Sequence, residues 1–221
     1  AVVTRTDLAG LDRNAVAVQA AEVLGIPAPP ALLDELMRRG AGNPFFTEEL
    51  AAAHRAGETI PPLLSDLLEA DIASLDRPAQ QVLVGLATVG RDTDPELLAQ
   101  IIGLDEETTD DAVRATIAAH LVLVDPATDA YRVRHPLIGE VAYTTALPTE
   151  RRRLHRAVAD ALRTEPRFAL TPTDAGGELG FHLDRAGDEG AAFPALFDAV
   201  DSAEYVAPAT CLTHLDRLLE L

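Results

Sequence analysis

Catalysis in a protein rests on histidines, cysteines, serines, lysines or paired carboxylates, and here their spacing leaves few reactions open. Six histidines stand at positions 54, 120, 135, 155, 182 and 214, and no two lie at zinc-ligand separation with a Cys or carboxylate partner. The three serines, Ser65, Ser74 and Ser202, occur in no Gly-x-Ser-x-Gly elbow. Cys211 lies in an apolar helical pattern, which suits a small core residue better than a nucleophile. All 18 basic residues are arginine. Without lysine there is neither a phosphate-loop lysine nor a Schiff-base amine in these residues. Carboxylates are plentiful but fall on solvated helix faces and at helix N-caps. No constellation reads as catalytic and no metal site is expected.

The formal charge of −18, from 36 acidic and 18 basic residues, opposes general attraction to nucleic acid or to anionic membranes. The chain is 48% hydrophobic with 4% aromatic residues and no tryptophan, so Ala, Leu and Val must build the core, as in packed helices. No apolar run is long enough to span a bilayer, and no signal pattern opens the chain. A single cysteine excludes an internal disulfide and fits a reducing compartment. The start "AVVTRTDL" reads as the beginning of a piece excised from a larger cytoplasmic protein.

The elements that must position any site are mostly helices, so the expected class is mainly α. Residues 2–8 could form a short strand. Asp12 can cap a helix carrying Val16, Ala20, Val23 and Leu24, stopped by Gly25. Pro30 opens a helix with Leu32, Leu33, Leu36 and Met37 inward, Arg38 and Arg39 in its last turn, and Gly40 at its end. Asn43 precedes a proline, is driven out of the α region and can cap a helix that starts at Pro44 and runs to about Ala56. Phe45 and Phe46 read as core. A further helix places Leu64, Leu67, Leu68 and Ile72 near one face.

From Asp76 the pattern becomes three capped helices, closing at Gly90, at Gly103 and near Ala119, followed by a hairpin of 121–124 and 131–134. Three helices and a two-stranded wing are the order of a winged helix. Pro136 opens a helix to about Ala146, and another spans roughly 150–163. Residues 163–177 read as a linker. Helices at 178–187, 190–204 and 209–220 follow, with small residues at their crossings, as in stacked helical hairpins.

A winged helix invites a DNA-binding reading, with its third helix in the major groove. That helix begins "DEETTDD", and phosphates would repel it, which favours a structural or switching module. "ERRRLHR" (150–156) is the one basic cluster: either a phosphate patch, or a solvated helix face with Leu154, Val158 and Ala161 inward.

Three stretches together carry a family resemblance. "GNPFFTEEL" (42–50) resembles the Gly-x-Pro motif that follows the nucleotide core of STAND ATPases, and more narrowly of the large ATP-binding LuxR-type and MalT-like transcription regulators. "YRVRHPLIGEVAYTTALPTERRRLHRAVADAL" (131–162) resembles the end of the winged helix in the same proteins, and 178–221 the start of their tetratricopeptide-like sensor. The resemblance implies the end of a nucleotide-binding core and a helical lid over 1–74, a winged-helix domain over 75–163, and the start of a helical-repeat sensor over 164–221.

It further implies a regulatory fragment with no catalysis of its own, coupling an ATP/ADP-binding core to a sensor. ADP or ATP would belong to the parent protein, with none tightly bound to the fragment. Its partners would be an upstream nucleotide domain of the same chain and an unknown inducer or protein at the repeats. DNA would be reached only through a parent domain, and no membrane is implied. By the resemblance, Gly42, Asn43 and Pro44 form a nucleotide-binding turn, with Pro44 against the adenine ring. His135 aligns with the His of a Met-His-Asp motif that touches the β-phosphate of ADP, with Pro136 standing where the motif has Asp. From the residues alone, Pro44 can be a helix start and His135 a helix N-cap. The rival functions are a helical-repeat interaction scaffold and a winged-helix DNA-binding module.

Overall fold

A computed structural model of the chain describes residues 9–58, 61–171, 175–203 and 217–219. The expected strand at 2–8, Cys211, His214 and most of the expected helix 209–220 lie outside them. The described chain is mainly helical, with a small two-stranded antiparallel sheet. Among these residues no helix is long and apolar enough to cross a membrane. The chain divides into two compact units, Ala1–Ser74 with Arg134–Val141, and Leu75–Val133 with Ala142–Leu221.

The first unit contains α1 (Arg13–Leu24), α2 (Pro30–Gly40), α3 (Pro44–Ala56) and α4 (Pro62–Ala73). Asp12 caps α1 by accepting the Ala15 N–H, and Gly25 ends it in the left-handed region that glycine enters without strain. Helices α1, α2 and α3 pack on one another around Val16, Ala20, Leu36, Leu50 and Ala51. In α4 the expected inward face is only partly right. Leu64, Leu68 and Ile72 are buried, but Leu67 is 51% exposed, because it stands about 100° from Leu68 around the helix.

In the second unit α5 (Arg77–Val89), α6 (Pro95–Ile102) and α7 (Glu106–Ala118) are each capped by an aspartate, at 76, 94 and 105. Strands β1 (Val122–Val124) and β2 (Tyr131–Val133) pair antiparallel, with Val122 opposite Val133. Thr93, between α5 and α6, adds a bridge to Tyr131 through two backbone hydrogen bonds of 2.8 Å. Next come α8 (Pro136–Thr145), whose first residues belong to the first unit, and then α9 (Pro148–Thr164), α10 (Ala175–Arg185) and α11 (Glu189–Ala203).

The stretch expected as a linker carries helix at both ends and is anchored between them at Phe168. Helix α9 runs on to Thr164, a 3-10 turn covers Pro166–Phe168, and Phe168 is buried. Arg91 holds it there: its guanidinium donates to the Phe168 carbonyl and to Glu178, whose other oxygen accepts the Leu170 N–H. Proline and threonine content marks the segment as irregular but says nothing of this distant arginine.

Helix α10 packs against α9 on one side and α11 on the other. Its Gly176 and Gly180 face α11, where a Cβ on Gly180 would stand 2.5 Å from Leu196 Cγ and 3.1 Å from the Leu196 backbone nitrogen. Gly180→Ala is therefore expected to lower stability by about 1–3 kcal/mol through overpacking, despite the better helix propensity of alanine. Urea unfolding checks this. A stabilised variant would show that α11 moves away at little cost.

Candidate functional site

The residues singled out by sequence gather at the turn between α2 and α3. Helix α2 ends at Gly40, and Ala41 and Gly42 both take positive φ, 48° and 73°. A Cβ on Gly42 would lie 2.6 Å from the Leu11 carbonyl oxygen, so no side chain fits there. The Gly42 carbonyl in turn accepts the Leu11 N–H at 2.7 Å. Asn43 has φ −75° and ψ 120°, and its Oδ1 accepts the N–H groups of Phe45 and Phe46. Pro44 occupies the first helical position, its ring exposed and its carbonyl accepting from Gln19. Phe45, expected in the core, is 45% exposed, because it points away from the α1 and α2 side taken by Thr47, Leu50 and Ala51.

His135 reaches this turn from far along the chain. Its Nε2 lies 3.1 Å from the Gly40 carbonyl oxygen, and its Nδ1 accepts the Leu137 N–H at 3.3 Å. An acceptor at Nδ1 and a carbonyl at Nε2 require the neutral tautomer with hydrogen on Nε2. Burial lowers the His135 pKa below its ordinary value, outweighing the Gly40 carbonyl and Glu140, which act the other way. The ring meets Phe46 at 4.0 Å between centroids, edge on. His135 is thus a helix N-cap at a strand–helix junction, as its position suggests, and a donor to the end of α2. Gly42, Asn43 and Pro44 stand between its two contacts, Gly40 and Phe46.

Sequence reasoning missed the ion pair beside it. Arg39 is 4% exposed, and its Nε and Nη2 both donate to the Glu140 carboxylate, the shortest contact being 2.7 Å, while Nη1 donates to Glu35 at 3.0 Å. Burial works against the Arg39 charge, and the hydrogen bonds and charges of Glu140 and Glu35 outweigh it, so its pKa is raised. A signal was present. Leu32, Leu36, Arg39 and Gly40 follow the i, i+4, i+7, i+8 spacing of one helical face, and all four are buried.

A second missed cluster lies in the other unit, where α9 meets α10. His155 and His182 are 2% and 1% exposed, with their Nδ1 atoms 2.8 Å apart, and Tyr143 Oη lies 2.9 Å from His155 Nε2. A donor chain from Tyr143 O–H to His155, and from His155 Nδ1–H to His182, satisfies all these atoms with neutral rings. Burial pushes His155 down to about 4 and His182 to about 3. Arg185 and Arg151 add to the first shift, and His155 and Arg91 to the second. The spacing in "RRLHR" places Leu154 inward, but a helix buries adjacent positions at its boundary, and His155 follows Leu154 into the core.

Neither cluster forms a nucleophile–base pair aimed at an open pocket. Among the described residues no group of three or more His, Cys, Asp or Glu side chains could hold a metal. Compared with known protein families and with curated proteins, the chain shows no significant match.

Glu140→Ala takes the bidentate partner from a buried guanidinium. It is expected to cost about 2–3 kcal/mol, less than a fully buried pair because Glu140 is itself 29% exposed. The double variant Arg39→Met/Glu140→Leu should recover most of that loss in urea unfolding; equal loss in both would assign the effect to packing alone. For the histidine pair the folded pKa values lie below the unfolded value of about 6.5. Its stabilisation is complete above that pH and is lost as pH falls towards 4, roughly 2 kcal/mol per histidine by about pH 5. Melting curves between about pH 7.5 and 5 should show this slope in the natural protein and a shallower one in His155→Gln/His182→Gln; identical slopes would contradict it.

Proposed function

We propose that the chain is the regulatory, nucleotide-state-sensing region of a STAND-type transcription regulator of the large ATP-binding LuxR or MalT-like kind, without catalysis of its own. In this reading residues 1–74 supply the end of the nucleotide core and the helical lid, 75–163 the winged-helix domain, and 164–221 the start of a tetratricopeptide-like sensor. ADP or ATP would be held mainly by upstream residues of a longer chain, and DNA contacted by another of its domains.

The observation that carries the reading is the meeting of His135 with the Gly40–Phe46 turn. Residues 134–141 of the second resembling stretch lie far along the chain from 42–50 and share one unit with them. Support for a winged helix comes from the order of α5 to β2 and from the Thr93 bridge to the wing. Its third helix favours a switching role over DNA reading: Arg114 is engaged by Asp110 and Asp111 of the same helix, so that face offers phosphates no unanswered cation. A helical-repeat scaffold is the second reading, favoured by the exposed, stacked Phe193 and Phe197 on α11.

The chemistry of the proposed switch is a competition for one donor. His135 Nε2–H serves the Gly40 carbonyl here. Turned to a β-phosphate it would make a charge-assisted bond instead, worth roughly 1.5–3 kcal/mol. In the full-length protein His135→Ala is therefore expected to speed ADP release about tenfold to a hundredfold and to raise basal transcription without inducer. His135→Gln, which keeps a donor, should do less. Release and basal activity both unchanged in a folded His135→Ala protein would leave His135 as a junction residue and favour the scaffold.

A further inference from the structure

Many arginines of this chain are paired. Arg13, Arg39, Arg91, Arg114, Arg156 and Arg167 each meet a carboxylate. Arg152 and Arg185 meet none among the described residues. With Phe181, Asp184, Gly187 and Arg217 they line an open concavity of about 440 Å³ in the second unit. Helix α10 supplies Phe181, Asp184 and Arg185, the i, i+3 and i+4 positions of one face, and α9 supplies Arg152.

Charge accounting in this concavity is simple. Among the described residues Asp184 is its one lining carboxylate, and Arg217 already holds it through two contacts of 2.6 and 2.9 Å. That pair is neutral, so among the described residues Arg152 and Arg185 leave a local excess of two positive charges in a chain of net charge −18. Phe181 is 45% exposed yet fixed in place. Its ring packs edge-on against His182 at 5.2 Å and His155 at 5.9 Å, and the Arg185 guanidinium lies 5.5 Å from its centre. A half-exposed ring, held from behind by two buried imidazoles and flanked by guanidinium groups, is a preorganised stacking surface rather than core filling.

We propose that this concavity binds an aromatic oxyanion, a small molecule with a carboxylate or phosphate joined to a flat apolar ring. The guanidinium groups of Arg152 and Arg185 match the oxygens of such a head group, and the ring stacks beside Phe181. The volume is that of a small-molecule site. The acidic remainder of the surface repels an extended polyanion but leaves this spot as the favourable one for a small anion. The concavity would bind such an anion whether or not the chain senses a nucleotide.

Calorimetric titration of the 221-residue chain at low ionic strength with phenyl phosphate, benzoate and inorganic phosphate tests it. Saturable one-to-one binding of phenyl phosphate or benzoate, tighter than inorganic phosphate, is expected, and the tighter of the two identifies the head group. Arg152→Ala and Arg185→Ala should each weaken it about tenfold or more, with melting temperature and circular dichroism unchanged. Phe181→Leu should erase the advantage over inorganic phosphate. Arg114→Ala, on α7, should leave binding as it was. Absence of saturation with all three probes, inorganic phosphate binding as tightly as the aromatic anions, or equal weakening by Arg114→Ala would overturn the proposal.

Discussion

The first unit depends on one carbonyl group. Gly40 ends α2, where carbonyls lose their helical partners, and its oxygen accepts from both the Asn43 N–H and His135 Nε2. The first bond shapes the turn that starts α3, and the second draws in a segment far along the chain. A neutral histidine can serve two helices at once, because it donates to the end of α2 with one nitrogen and caps α8 with the other. The buried Arg39–Glu140 pair then fixes the same two segments close by. A hydrogen bond between neutral groups contributes only about 1 kcal/mol net, whereas leaving Arg39 buried without its carboxylate costs several times more. Geometry at the junction is thus set by the histidine, and its persistence by the ion pair.

The second unit solves a different problem. With few aromatic residues and many alanines, helices gain contact by close approach rather than by large side chains. Gly176 and Gly180 let α10 lie against α11, and the small core of Ala159, Leu183 and Ala192 fills what remains. On its other side α10 sets His182 against His155, a buried polar contact. Buried polar pairs of this kind restrict the arrangements a helix can take, because any slide leaves two ring nitrogens without partners. The arginines that lower the basicity of His155 also line or adjoin the concavity beside Phe181, so the buried pair and the basic surface share their electrostatics.

What the sequence reveals is whatever is local. Helix starts at Asp12, Asn43, Asp76, Asp94 and Asp105 are legible because a cap acts within three residues, and glycines at 25, 57, 90 and 103 end helices for reasons of their own backbone. The hairpin follows from alternation and a turn. What escapes is long-range polar pairing. The place of Arg39 near a helix end suggests a dipole contact, although its helical phase puts it on the buried stripe. Arg91 reaching Phe168, and His155 reaching His182, leave no periodic trace, since one polar residue on an apolar face looks the same whether it caps, pairs or faces solvent. Phe45 and Leu67 fail in the opposite direction. Hydrophobic type says that burial is favourable, not that a neighbour is present to provide it.

His135 shows how these limits bear on mechanism. Its place as a cap is legible from the proline that follows it, and its tautomer only from its two partners. The tautomer matters because the hydrogen sits on Nε2, the nitrogen that faces Gly40. Any anion that took this donor would have to outbid a neutral carbonyl at the end of a helix, where the dipole already makes that oxygen a good acceptor. A phosphate can do so because of its charge. A neutral ligand gains nothing from the exchange. Depression of the His135 pKa makes the bond to Gly40 one between neutral groups, so its strength stays modest. Burial that keeps the ring neutral is therefore what would let this junction respond to the charge of a ligand.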